Sequence, residues 1–331
     1  MDKSGTSFKF ALPSITNSLA AGFNLVAENI YLIILPVLID LMIWLGPKIR
    51  VYDLLKDSVV RMLNEVSKTA PAALVGQMKA LNDLTLVSLE QTNIFGEIGL
   101  SPISVPSLLS GSGTAASPLA NPKIIELNSV MLLLVLIAGL FVIGMIAGCF
   151  YFSIVAQKTS VQPFRLTIQR FLLQLLNMFL TILIIFFALI ILMIPISCVT
   201  TIFTLISPGL AQIVLFIILI MIAWLIVPIF FSIHGVFLGS GVLDSFKLSF
   251  NLSKWFSSPT SFFIVAVVII SQGLNLIWTI PAANSWLLLI GVFGQAFIST
   301  SLIAASFILY QKYVVWIIDN EELITKGIIR K

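Results

Sequence analysis

Three long stretches without a single Asp, Glu, Lys or Arg constrain this chain more than anything else in it: residues 127–157, 171–243 and 255–311. A charge at the centre of a lipid bilayer costs about 2.5–3.5 kcal/mol on insertion scales, and a helix needs about 20 apolar residues to cross. At 31, 73 and 57 residues, the stretches hold one, two and two spans. The internal turns fall at Ser207, Pro208 and Gly209 and at Pro281 to Ser285, where Pro and polar residues break the apolar run. A further span runs from about Asn29 to Leu45, carries Asp40, and closes at Gly46 and Pro47. The expectation is therefore an all-α, polytopic membrane bundle of six spans.

Composition excludes most alternatives. The chain is 59% hydrophobic and 10% charged with mean hydropathy +1.11, whereas soluble domains carry about 25% charged residues. A water-soluble fold and a disordered chain are ruled out. Two Cys exclude a disulfide scaffold, and a single His, His234, excludes any site built on several imidazoles.

Orientation follows from basic residues in short connections. Lys158, Arg165 and Arg170 mark the second connection, Lys247 and Lys254 the fourth, and Lys312, Lys326, Arg330 and Lys331 the C-terminal end, while the third and fifth connections carry no charge. Basic residues thus alternate sides. Both termini, with Lys3 and Lys9, are expected in the cytoplasm, and no cleavable signal peptide is expected before the first span. The corresponding division is 1–45 (interfacial helix and first span), 46–126 (extracytoplasmic insertion), 127–318 (five-span bundle) and 319–331 (tail).

The insertion balances seven Lys or Arg against seven Asp or Glu. Tyr52, Leu55, Val59, Met62, Leu63 and Val66 recur at helical spacing, and a second helix is expected from Pro71 through Leu74, Met78, Leu81 and Leu84. From Ser101 to Pro122, Ser, Pro, Gly and Ala dominate, including Gly111-Ser112-Gly113, which reads as a mobile or irregular loop. The insertion is either a helical hairpin capping the bundle or a docking lid.

Two amphipathic segments look alike: Ser18 to Leu25 (SLAAGFNL) and Ser245 to Leu252 (SFKLSFNL), each preceding a span. Gln162 to Arg170 precedes the third span in the same way. Three units are expected, each an interfacial helix leading into a two-span hairpin. These helices, with Leu35-Pro36-Val37-Leu38-Ile39-Asp40 in the first span and Gly241 to Ser249 before the fifth, resemble six-helix bacterial membrane proteins of unknown function related to the membrane domain of glycerophosphoryl diester phosphodiesterases. The resemblance implies a membrane domain without chemistry of its own. The chain lacks a phosphodiesterase catalytic domain, and its insertion departs from the simple six-helix pattern.

Candidate chemistry is sparse. Asp40 is the only acidic residue in a predicted span, an ionisable group that is functional by default; yet it lies only about 7–8 Å from the helix end at 1.5 Å per residue, close enough for water, Lys48 or Arg50 to serve it. Structural anchoring and proton or substrate handling both stay open. His234 is read either as a neutral imidazole bonded to a carbonyl or hydroxyl, or as part of a proton relay. Gln174 with Asn177, and Gln272 with Asn275, each spaced i, i+3, face one side of their helices; Gln295 stands with Ser299, Thr300 and Ser301. Amides cannot face lipid unpartnered, so they bond between helices or line a polar path. Pro36, Pro195 and Pro228 are expected to kink spans, Gly144-x-x-x-Gly148 to admit a close helix, and Cys149 and Cys198 to act as small hydrophobes. No catalytic residue, cofactor or metal site is expected, since phosphate-loop, metalloprotease and nucleophile-elbow motifs are missing. The net charge of +4 favours anionic headgroups over nucleic acid.

The function expected from the sequence is a non-enzymatic one, organising or binding membrane lipid or a partner membrane protein, a second copy included, in a bacterial cytoplasmic membrane. The alternative is a small-molecule or lipid transporter with a path lined by the amides.

Overall fold

The computed structural model of the chain describes residues 12–69, 75–111, 116–119, 122–162 and 164–325. Pro71 and Leu74, the side chain of Met78, Ser112 and Gly113, and the charges Lys3, Lys9, Lys326, Arg330 and Lys331 lie outside what is described.

The protein is an all-α membrane bundle. In chain order it has α1 (Ile15–Glu28), a 3-10 turn (Ile30–Ile33) into α2 (Ile34–Leu45), strand β1 (Lys48–Arg50), α3 (Tyr52–Thr69), α4 (Val75–Gln91), a second 3-10 turn (Ile94–Leu100) and strand β2 (Ile124–Glu126). Five long helices follow: α5 (Val130–Thr159), α6 (Ile168–Ile206), α7 (Pro208–Phe237), α8 (Val242–Trp278) and α9 (Leu288–Thr325). These five are long and apolar enough to cross a membrane; Ile15–Glu28 and Ile30–Leu45, bent by 93°, supply a sixth if taken as one broken span. Mean hydropathy is 3.0, 3.1 and 3.2 in the best windows of α5, α6 and α7, yet only 17%, 6% and 12% of those windows is covered by protein. Side chains such as Leu205, Phe216 and Trp224 stand largely exposed. So much uncovered apolar surface is stable only against hydrocarbon.

Local chemistry sets the breaks. Ser14 caps α1 by accepting the Asn17 N–H, and Asn29 closes it by turning its own amide back to the Leu25 carbonyl at 2.9 Å. Pro36 falls in the first turn of α2, where no N–H needs an intrahelical acceptor, so it starts a helix rather than kinking one. At the other end the buried Lys48 ammonium donates to the Ile43 and Trp44 carbonyls at 2.6 and 2.9 Å. This cation satisfies the orphan carbonyls of α2 and lies at the negative end of its dipole. Burial pushes the Lys48 ammonium below the usual lysine range. In α8, Phe256 leaves helical geometry (φ −118°, ψ 16°) three residues before Pro259, whose ring displaces the Trp255 carbonyl.

The three expected interfacial helices are resolved differently. The first is α1, set off by the 93° bend, and the second is the N-terminal part of α8 ahead of the Phe256 kink. The third is corrected: Gln162 and Phe164–Leu166 are not helical, because α6 begins only where Thr167 accepts the Arg170 N–H. The two that form bury matching small residues, Ser18 and Gly22 in α1, Ser245 and Ser249 in α8.

The described residues fall into two compact units, one from Met1–Asn29, Phe152–Ile269 and Ser301–Lys331, the other from Ile30–Tyr151 and Ile270–Thr300. In the first, α6 packs on α7, and Phe256 stacks on Tyr313 with ring centroids 4.0 Å apart beneath the edge of Trp316. There α1 meets α9 almost backbone to backbone, since a Cβ on Gly22 would sit 2.5 Å from the Ser301 carbonyl oxygen. Lys158, Arg165, Arg170, Lys247, Lys254 and Lys312 all belong to this unit.

The second unit contains the insertion. Its α3 and α4 form the expected hairpin, while Lys48–Arg50 pairs in parallel with Ile124–Glu126, a short ladder the sequence did not announce. Leu81 and Leu84, expected to pack, are exposed. Of the two readings of the Ser- and Pro-rich loop, its described part fits the irregular one, held by burial of Ser101, Ile103, Val105, Leu108 and Leu109. Its backbone lies against α5, where a Cβ on Gly144 or Gly148 would meet the Ile98 or Ile103 carbonyl oxygen at 2.3 or 2.1 Å. The Gly144/Gly148 pair thus admits irregular backbone rather than another span.

Candidate functional site

Each sequence-derived polar residue has a definite place. Asp40 on α2 is fully buried and accepts hydrogen bonds from the Ser107 hydroxyl and from the Leu108 and Leu109 N–H groups, at 2.5, 3.0 and 2.9 Å. Neither Lys48 nor Arg50 serves it. Irregular backbone buried beside a span must find acceptors within the protein, and this carboxylate supplies them.

His234 on α7 is held between Phe230 and Phe307, ring centroids 4.4 and 4.5 Å away. Its Nδ1 lies 2.6 Å from the Phe230 carbonyl, which can only accept, so Nδ1 carries the proton. Nε2 lies 2.8 Å from the Ser306 hydroxyl, whose one hydrogen also has the Ile303 carbonyl within reach at 2.7 Å. Both ring nitrogens face a polar partner.

The amides do not come together as one set. Gln174 is buried; its Oε1 accepts from Ser153 at 3.0 Å and its Nε2 donates to the Phe237 carbonyl at 2.7 Å. Half-buried Asn177 shares a cleft of about 370 Å³ with Gln174, Thr167 and Arg170. Gln272, Asn275 and Gln295 belong to the other unit, where Gln272 is exposed, Asn275 half-buried and Gln295 buried with its Oε1 unpaired among the described residues. The two i, i+3 pairs, Gln174 with Asn177 and Gln272 with Asn275, therefore serve different environments. Among the described residues no three His, Cys, Asp or Glu side chains gather as a metal site would require.

Sequence reasoning passed over further open chemistry in the first unit. Two clefts of about 590 and 470 Å³ share Val161, Gln311 and Val315. The larger runs between α1 and α9 and carries Ser14, Asn17, Lys312 and Asp319; the smaller carries Arg170 and Ser240 against Leu248, Val314 and Ile318. Gln311 pins the connection between α5 and α6 by donating to the Thr159 carbonyl at 3.1 Å and accepting the Val161 N–H at 2.8 Å, and Gln157 donates to the Phe164 carbonyl at 2.7 Å. The pinned connection presents Phe164 to Arg170, whose guanidinium carbon lies 3.8 Å from the ring centroid. Lys312 spends one hydrogen on Ser18 at 3.1 Å. In the sequence Arg170 is legible only as a topological charge, because nothing in one dimension places it beside Leu248 or Val314.

Compared with protein-family models, curated proteins and solved structures, the chain matches none. Geometry alone therefore carries the functional reading.

Proposed function

We propose that the protein is a non-enzymatic, multi-pass protein of a bacterial cytoplasmic membrane, both termini cytoplasmic, that binds and organises lipid at the clefts of its basic unit. One observation carries this reading: Arg170 lines an open cleft that holds Leu248, Val314 and Ile318 and no acidic residue, beside a second cleft where Lys312 and Asp319 share a largely apolar wall. That pairing of a cationic head and an apolar wall suits an amphiphile with an anionic headgroup. The buried polar groups Asp40, Gln174 and His234 are, by contrast, engaged within the protein, which supports a structural part for them. The exposed apolar side chains Leu81 and Leu84 on α4 would serve a partner membrane protein or a second copy. The likeness to phosphodiesterase-associated membrane domains points the same way, toward a membrane module without chemistry of its own.

The test is purification directly in native lipid, with lipids and proteins that accompany the chain identified against an unrelated six-span protein. Enrichment of anionic lipid is expected. If nothing associates, while reconstituted vesicles move a solute and lose that movement on Asn275→Leu, transport replaces this reading.

A further inference from the structure

Arg170 stands apart from the other cations of the first unit. It occupies the first turn of α6, where the helix dipole disfavours a positive charge, and no carboxylate lies within ion-pair distance of it among the described residues. Its guanidinium is nevertheless fixed in place. Phe164 covers one side, and Gly239, with φ +103° at the end of α7, makes room for it: a Cβ there would sit 2.8 Å from Nη2. Half-buried and flanked by clefts of about 470 and 370 Å³, the group is an oriented, unneutralised fork of N–H donors. Guanidinium matches phosphate in geometry and charge and gives two parallel bonds where an ammonium gives a point contact. The larger cleft continues from Arg170 and Ser240 onto Leu248, Val314 and Ile318, and no acidic residue lines it. A bare anion would leave that wall unused.

We propose that the Arg170 cleft binds a phosphate group carrying hydrocarbon chains, the guanidinium on the phosphate and the apolar wall along the first carbons of the chains. This rests on the lipid-binding reading and deepens it by naming the residue and the headgroup chemistry.

The full-length protein in detergent is titrated with dihexanoyl phosphatidylglycerol, with dihexanoylglycerol lacking the phosphate, and with inorganic phosphate; bound molecules are counted by native mass spectrometry, and circular dichroism checks each variant's fold. The expected result is that the phospholipid binds at least ten-fold more tightly than the other two, that Arg170→Gln removes this preference, that Arg170→Lys restores part of it, and that Val314→Trp weakens the phospholipid while leaving inorganic phosphate unchanged. Should Arg170→Gln fail to fold, the Lys and Trp variants decide. Equal binding of phospholipid and dihexanoylglycerol, or phospholipid binding untouched in a folded Arg170→Gln, overturns the proposal. Inorganic phosphate binding as tightly as the phospholipid, with Val314→Trp without effect, overturns it in favour of free phosphate. If native lipid still accompanies a folded Arg170→Gln in undiminished amount, only the Arg170 assignment fails; if the wild type carries no lipid and binds no probe, the broader reading fails with it.

Discussion

Ser107 donates its hydroxyl hydrogen to Asp40, 67 positions earlier in the chain, and the next two backbone N–H groups converge on the same carboxylate. A loop that reads as mobile or irregular is thereby fastened to the first apolar helix through one side chain. Asp40→Leu would take this acceptor from the half-buried Ser107 hydroxyl and from the buried Leu108 and Leu109 N–H groups. Since an unsatisfied buried donor costs about 1–3 kcal/mol, and neighbouring losses overlap, we expect destabilisation of about 2–4 kcal/mol. The loop should then become cleavable by protease between Ser101 and Gly111. Thermal unfolding with proteolysis checks this; an unchanged protease pattern in a folded Asp40→Leu would show that the apolar residues of the loop hold it without the carboxylate.

The same residue shows where sequence reading reaches its limit. Charge-free stretches located all five long helices, because hydrophobicity along one dimension is what lipid responds to; the expected span Asn29–Leu45, which carries Asp40, is a 3-10 turn and a 12-residue helix that reaches spanning length only when joined to α1 across the 93° bend. Asp40 was identified as the one intramembrane acid, but its partners lie far along the chain in a segment whose Ser, Pro and Gly content signals only irregular backbone. Gly144 and Gly148 present the same gap, since a small-residue pair reports that something approaches closely and leaves open whether it is a helix or a loop. Arg170 was legible as a charge and not as a site, because its cleft is assembled from four separate parts of the chain.

Gly22 and Gly139 make a controlled comparison within one protein. A Cβ on Gly22 would meet the Ser301 oxygen and the Ala305 nitrogen at 2.5 and 2.6 Å, both backbone atoms with little room to yield, whereas one on Gly139 meets nothing within 4 Å. Gly22→Ala should therefore push α1 off α9 and cost about 1–3 kcal/mol, as overpacking does. Gly139→Ala should be neutral or stabilising by up to about 1 kcal/mol through helix propensity. Equal melting temperatures for the two variants would contradict the close approach of α1.

Gly148 tests the other crowded contact. Its Cβ would lie 2.1 Å from the Ile103 carbonyl oxygen, so Gly148→Ala should displace the buried loop while α5 gains intrinsic helicity. The expected signature is a lower melting temperature with faster amide exchange over residues 101–109, and unaltered exchange at Phe256 and Tyr313, which belong to the other unit. Uniform acceleration would mean that the two regions unfold as one.

Topology supplies the last expectation. Asp83 on α4 and Lys247 on α8 are both exposed, and positive-inside reasoning assigns them to opposite faces of the membrane. Single cysteines at these positions are best read in a Cys149→Ser, Cys198→Ser background, since Cys198 is itself exposed. A membrane-impermeant maleimide added to intact cells should label Asp83→Cys and spare Lys247→Cys until the membrane is permeabilised. The reverse pattern would turn the basic unit outward, and with it the Arg170 cleft, which would then meet the outer leaflet, where anionic headgroups are scarcer and the charge argument for lipid binding loses its footing.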